Sequence, residues 1–99
     1  QQTEKGLVVS LSEAGFFAPG EATMNNESDE VIDSLANSLN KTQFQVRIEG
    51  HTDSIPISNS QYASNWELST ARAVSVLQKL TERGINSERL SVSGYGGFR

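Results

Sequence analysis

A two-layer α/β sandwich, with both helices on one face of a small mixed sheet, is the fold class that three features of this 99-residue chain predict. Alternating segments and segments of helical period succeed one another in the order β-α-β-α-β. Each alternating segment is apolar on one side only, whereas a sheet covered on both faces reads as continuous apolar runs. The length allows one domain, since a typical domain takes roughly 100–200 residues, so residues 1–99 are read as a single unit.

The first strand is Leu7-Val8-Val9-Ser10-Leu11, with Leu7, Val9 and Leu11 on one side. Ala14-Gly15-Phe16-Phe17-Ala18-Pro19-Gly20 follows, a loop by its breakers whose two phenylalanines are expected to pack inward. Residues 27–39 read as a helix with Val31, Ile32, Leu35, Ala36 and Leu39 as its apolar stripe. Glu27, Asp29 and Glu30 crowd its first turn, where the helix dipole favours anions. Residues 43–49 alternate without a fault, Phe44, Val46 and Ile48 against Gln43, Gln45, Arg47 and Glu49. Residues 54–63 are polar, contain Pro56 and lack a period, which predicts a loop.

Ser64-Asn65-Trp66-Glu67 matches a capping box and opens the second helix. That helix carries Trp66, Ser69, Ala73, Val76, Leu77 and Leu80 on one face and is expected to stop at Gly84, a residue able to take positive φ. Residues 89–93 alternate again, and Gly94-Tyr95-Gly96-Gly97 turns out of them. The middle strand, second helix and third strand are expected to form a right-handed crossover between parallel neighbours.

Composition narrows the function classes. Eight Lys/Arg against twelve Asp/Glu give −4, which argues against a nucleic-acid footprint, because phosphate binding needs a basic stripe. The absence of cysteine removes disulfides, thiolate metal sites and cysteine nucleophiles together. No apolar run approaches the roughly 18–20 residues of a membrane-spanning helix. The chain starts Gln1-Gln2-Thr3, so it is expected to be an excised or processed piece whose membrane anchor lies outside it.

Few polar residues remain to carry chemistry. Glu49, His51 and Asp53 lie at i, i+2 spacing on the polar side of the middle strand, a possible metal half-site. His51 is the only histidine, however, and no second cluster offers further ligands, so a solvated strand end is the competing reading and no metal or cofactor is expected. No G-x-S-x-G elbow supports a hydrolase, and the glycines at 94, 96 and 97 form a turn rather than a phosphate cradle. Arg72 falls at the border between the apolar and solvated faces of the second helix, and Asp53 at the end of the middle strand. Brought together, they make either a structural salt bridge or the two poles of a site for a ligand with an amino group and a carboxylate.

Three blocks then carry a resemblance. Ile48-Glu49-Gly50-His51-Thr52-Asp53, Asn65-Trp66-Glu67-Leu68-Ser69-Thr70-Ala71-Arg72-Ala73 and Val92-Ser93-Gly94-Tyr95-Gly96 resemble, in order, the G-H-T-D, N-x-x-L-S-x-x-R-A and G-Y-G blocks of the OmpA-like (OmpA/MotB) peptidoglycan-binding domain. The likeness covers residues 44–97 and is nearest the flagellar stator branch, through residues 64–69 and the Pro56-Ile57 loop.

The resemblance implies a non-enzymatic domain that grips the diaminopimelate-type stem peptide of peptidoglycan. It would face the wall from the periplasm and anchor an envelope protein, outer-membrane protein or flagellar stator. It implies Asp53 and Arg72 as the residues that hold the ligand's amino and carboxylate ends, with Thr52, Asn65 and Leu68 lining the same pocket. A stator or assembly domain acting through protein contacts, and a metal-dependent hydrolase, are the alternatives. Family members continue past G-Y-G with a basic block and a closing strand, so the chain is expected to be truncated at Arg99 and open to pairing as a homodimer.

Overall fold

The protein is described by a computed structural model covering residues 6–11, 16–53, 55, 59 and 61–97. Pro56 and Ile57 of the expected loop, Ala14 and Gly15, and both chain ends lie outside these described residues. The elements are β1 (Gly6–Leu11), α1 (Ser28–Leu39), β2 (Gln45–Gly50), α2 (Asn65–Glu82), a 3-10 turn (Ser87–Arg89) and β3 (Leu90–Gly94).

The three strands lie side by side in chain order. Leu7 pairs with Val46 and Val46 with Leu90, while Val9 pairs with Ile48 and Ile48 with Val92. This register puts Leu7, Val9, Val46, Ile48, Leu90 and Val92 on one face, with Val8 beside Arg47 on the other. Ile32, Ala36 and Leu39 of α1 and Ala73, Val76 and Leu80 of α2 share a core with Val46 and Ile48, so both helices cover that face. Each Ile, Leu or Val among these contributes on the order of 1.5–3 kcal/mol when removed from water. Lys79 Nζ donates to Asp29 at 3.1 Å and the Arg83 guanidinium to Asp33, tying the helices together at their solvent side.

Among the described residues the sheet is parallel throughout rather than mixed. The cause is connectivity: each neighbouring pair is joined through a helix, and a helix returns the chain to the edge it left. Two stripe assignments also shift. Val31 is 50% and Trp66 53% exposed, because the buried face of α1 runs through Ser28, Ile32, Ala36 and Leu39 and that of α2 through Leu68, Ser69, Arg72, Ala73, Val76 and Leu80.

The ends of α2 match the local chemistry. Ser64 Oγ accepts from Trp66 N at 3.2 Å, and its hydroxyl is donated to the Glu67 carboxylate, a variant of the capping box. Gly84, just past the helix, takes φ +93°, which Ala could adopt only under strain.

Candidate ligand-binding site

Past its last ladder residue, β2 continues as His51-Thr52-Asp53 over the end of the sheet. Tyr95 N donates to Gly50 O at 3.2 Å and Thr52 N to Gly96 O at 2.9 Å, so the strand stays held beyond its end. Asp53 Oδ1 then accepts from Ile55 N at 3.1 Å, an Asx turn that sends the chain away from the sheet. Thr52 Oγ1 donates to Asp53 O at 2.8 Å.

These residues form one wall of a cavity of about 160 Å³ lined by Pro19, Gly20, Thr52, Asp53, Ile55, Asn65 and Leu68. Four of the five residues expected at a site therefore converge on one recess at the carboxyl end of β2, where ligands of parallel α/β sheets commonly bind. The volume is well below the roughly 300–1,000 Å³ of drug-sized sites, which suits one compact end of a larger molecule.

Asn65 gives the recess its chemical bias. Its Nδ2 donates to Ile55 O at 2.9 Å and to Asp53 O at 3.4 Å. Both partners are carbonyls, which only the NH₂ end of the amide can satisfy, so the side-chain orientation is determined. Among the described residues Oδ1 is left buried without a hydrogen-bond partner. A buried acceptor in that condition costs about 1–3 kcal/mol. Beside it stands the exposed Asp53 carboxylate, a second acceptor.

Arg72 is placed differently from its expected position. The sequence period puts it at the border of core and solvent, yet it is 1% exposed. Its Nε donates to Glu21 O at 2.8 Å, Nη2 to Ala18 O at 3.2 Å and Nη1 to His51 O at 3.4 Å, and its guanidinium lies 5.0 Å from the Phe17 ring centroid. The loop around residues 16–25 folds over α2 and covers it. Arg72 thus backs the recess from within, bonded to a segment on each side of it, and is not among the lining residues.

The acid-imidazole-acid row divides. Glu49 was expected on a solvated face but is 6% exposed. Burial pushes its carboxyl pKa up, but hydrogen bonds from Ser10 at 2.9 Å, from Arg47 at 3.2 Å and from His51 together outweigh it and hold the group below the usual glutamate range. His51 Nε2 lies 3.5 Å from Glu49, and its ring stacks on Tyr95 with centroids 5.4 Å apart. Asp53 belongs to the recess instead. Among the described residues no three His, Asp or Glu gather as metal ligands.

Pro19 and Gly20 are lining residues that sequence reasoning missed. The Pro-Gly pair signalled a turn, but nothing local signalled that the turn would face residue 53.

Comparison with known proteins follows the same outline. The sequence model of the OmpA family matches residues 16–99. An uncharacterized protein of Bacillus subtilis, YtxE, is 38% identical over 96 residues, covering 96% of this chain and 40% of that protein. Motility protein B of B. subtilis is 34% identical over 101 residues, covering 100% of this chain and 39% of that protein. The chain thus spans about two-fifths of the length of these relatives. Among solved structures, the C-terminal domain of Helicobacter pylori MotB superposes with a TM-score of 0.77 at 27% identity, covering 86% of this chain and 67% of that one. The cell wall anchor of the Pseudomonas aeruginosa T6SS superposes with 0.78 at 32% identity, covering 86% and 59%.

Proposed function

Because this chain belongs to the OmpA family, we propose that it is a non-covalent peptidoglycan-binding domain that anchors a longer envelope protein to the cell wall. The ligand is the stem peptide, and the part that enters the recess is the amino-acid end of a diaminopimelate-type residue. Asp53 takes the ammonium group, with Asn65 Oδ1 as the second acceptor. Thr52 and Leu68 shape the walls, and the ligand's carboxylate lies toward the side that Arg72 backs. The domain works by recognition rather than by making or breaking bonds, on the wall-facing, periplasmic side of the envelope.

The observation that carries this reading is that the exposed Asp53 carboxylate and Asn65, whose buried Oδ1 has no hydrogen-bond partner among the described residues, line one small recess. A carboxylate exposed at the wall of a small recess favours a donor-rich group, and an ammonium is the most donor-rich end an amino acid offers. The name of the P. aeruginosa neighbour, a cell wall anchor, and the likeness to motility protein B point to the same role and to flagellar stators as one setting.

The test is retention on insoluble peptidoglycan sacculi, comparing the wild type with Asp53→Ala and Arg72→Ala. The wild type should sediment with the sacculi and both variants should stay largely in the supernatant. Equal sedimentation of all three proteins would refute the assignment.

A further inference from the structure

One wall of the recess, Pro19-Gly20, comes from a loop closed on itself by the Phe17–Met24 bridge and by Asn25 N donating to Phe16 O at 2.8 Å, but something else must fix it against α2. The backbone shows what does. Ala18 O and Glu21 O are taken by Arg72, and the next carbonyl, Ala22 O, accepts from Ser75 Oγ at 2.6 Å. Residues 72 and 75 stand three apart on α2 and so present neighbouring side chains to the loop. Ser75 Oγ also lies 3.1 Å from Ala71 O within the helix, so its single proton has a local alternative and goes to the loop at the shorter distance. The turn itself closes through Glu21 N donating to Ala18 O at 3.1 Å.

From this we infer that Ser75 is a positioning residue for the recess. It fixes the Pro19-Gly20 wall against α2, and thereby its separation from Thr52 and Asp53, without touching the ligand. The ligand chemistry rests on the proposed peptidoglycan reading; the positioning role does not.

The experiment compares wild type, Ser75→Ala and Ser75→Thr by amide hydrogen exchange at Glu21 and by retention on sacculi. Ser75→Ala should speed exchange at Glu21 by about tenfold and weaken retention about three- to tenfold, the equivalent of one net hydrogen bond. Ser75→Thr keeps the hydroxyl and should restore both. Exchange at Thr52 N, on the opposite wall, should remain at the wild-type rate in all three, which separates a local effect from general loosening. Wild-type exchange at Glu21 in Ser75→Ala, or failure of Ser75→Thr to restore it, overturns the inference. If the wild type does not bind sacculi, the anchoring reading fails and the exchange rates alone decide the role of Ser75.

Discussion

Gly50 meets the backbone of Ser69 directly: a Cβ placed on Gly50 would fall onto the Ser69 carbonyl, 2.9 Å from its carbon and 3.2 Å from Ala73 N. At this point β2 and α2 touch main chain to main chain, which lets His51, Thr52 and Asp53 emerge beside the first turn of α2. A similar approach occurs at Gly94, where a Cβ would lie 2.7 Å from Thr70 N and 2.8 Å from Ser69 Oγ.

Gly50→Ala should therefore destabilise the domain by about 3 kcal/mol, at the upper end of overpacking costs, since neither the helix backbone nor the central strand can retreat cheaply. Urea denaturation gives the number. A loss under about 1 kcal/mol would mean that the strand–helix spacing is softer than this contact implies.

Asn65→Leu separates stability from binding. It removes two hydrogen bonds to loop carbonyls but also removes a buried acceptor that has no partner among the described residues. The two effects oppose each other, so stability should change by less than about 1 kcal/mol. Retention on sacculi should nevertheless drop more than tenfold, as it should if that acceptor serves the ligand. Parallel losses in both would assign Asn65 to the fold alone.

Glu49 sets an acid limb on stability. Its carboxyl is held below the ordinary glutamate value in the folded protein by Ser10, Arg47 and His51, which together override the opposing effect of burial. The unfolded chain consequently binds the proton first. The stabilisation is complete above the unfolded pKa, roughly 4.3, and disappears as pH falls through the lower folded value. Glu49→Gln should cost about 1–2 kcal/mol at pH 7, where one face of the amide presents donors to Arg47. Its stability curve should converge on that of the wild type as pH falls through that lower folded value. A constant gap between the two curves down to pH 2 would remove Glu49 as the titrating group.

Much of this architecture could be read one residue at a time. The alternation of residues 43–49 specifies β2 and its buried face, and Ser64 and Gly84 delimit α2 because caps are local chemistry. The recess was legible in part, since Thr52, Asp53, Asn65 and Leu68 sit in the blocks that resemble the family. What escaped depends on distant partners. Glu49 is buried because Ser10, 39 residues earlier, and the stacked His51–Tyr95 pair lie about it. Strand direction was misjudged for one pairing because alternation is the same in parallel and antiparallel strands. Arg72 sits at the edge of a helical wheel, and only a loop more than 50 residues away in sequence turns that edge into interior.

Arg72→Lys follows from that burial. The guanidinium reaches three carbonyls on two separate segments, Ala18 and Glu21 on one side and His51 on the other. A planar fork with five N–H donors can do this from a fixed position, whereas an ammonium on a flexible stem directs its donors from one point. Lysine should leave at least one of these carbonyls unsatisfied and forfeit contact with the Phe17 ring, costing about 2 kcal/mol or more. The change should also weaken sacculus binding well beyond the loss seen for Ser75→Ala, because both walls of the recess lose their common support. If Arg72→Lys unfolds at the wild-type urea midpoint, the positive charge is what the site needs, and the geometry of the fork is not.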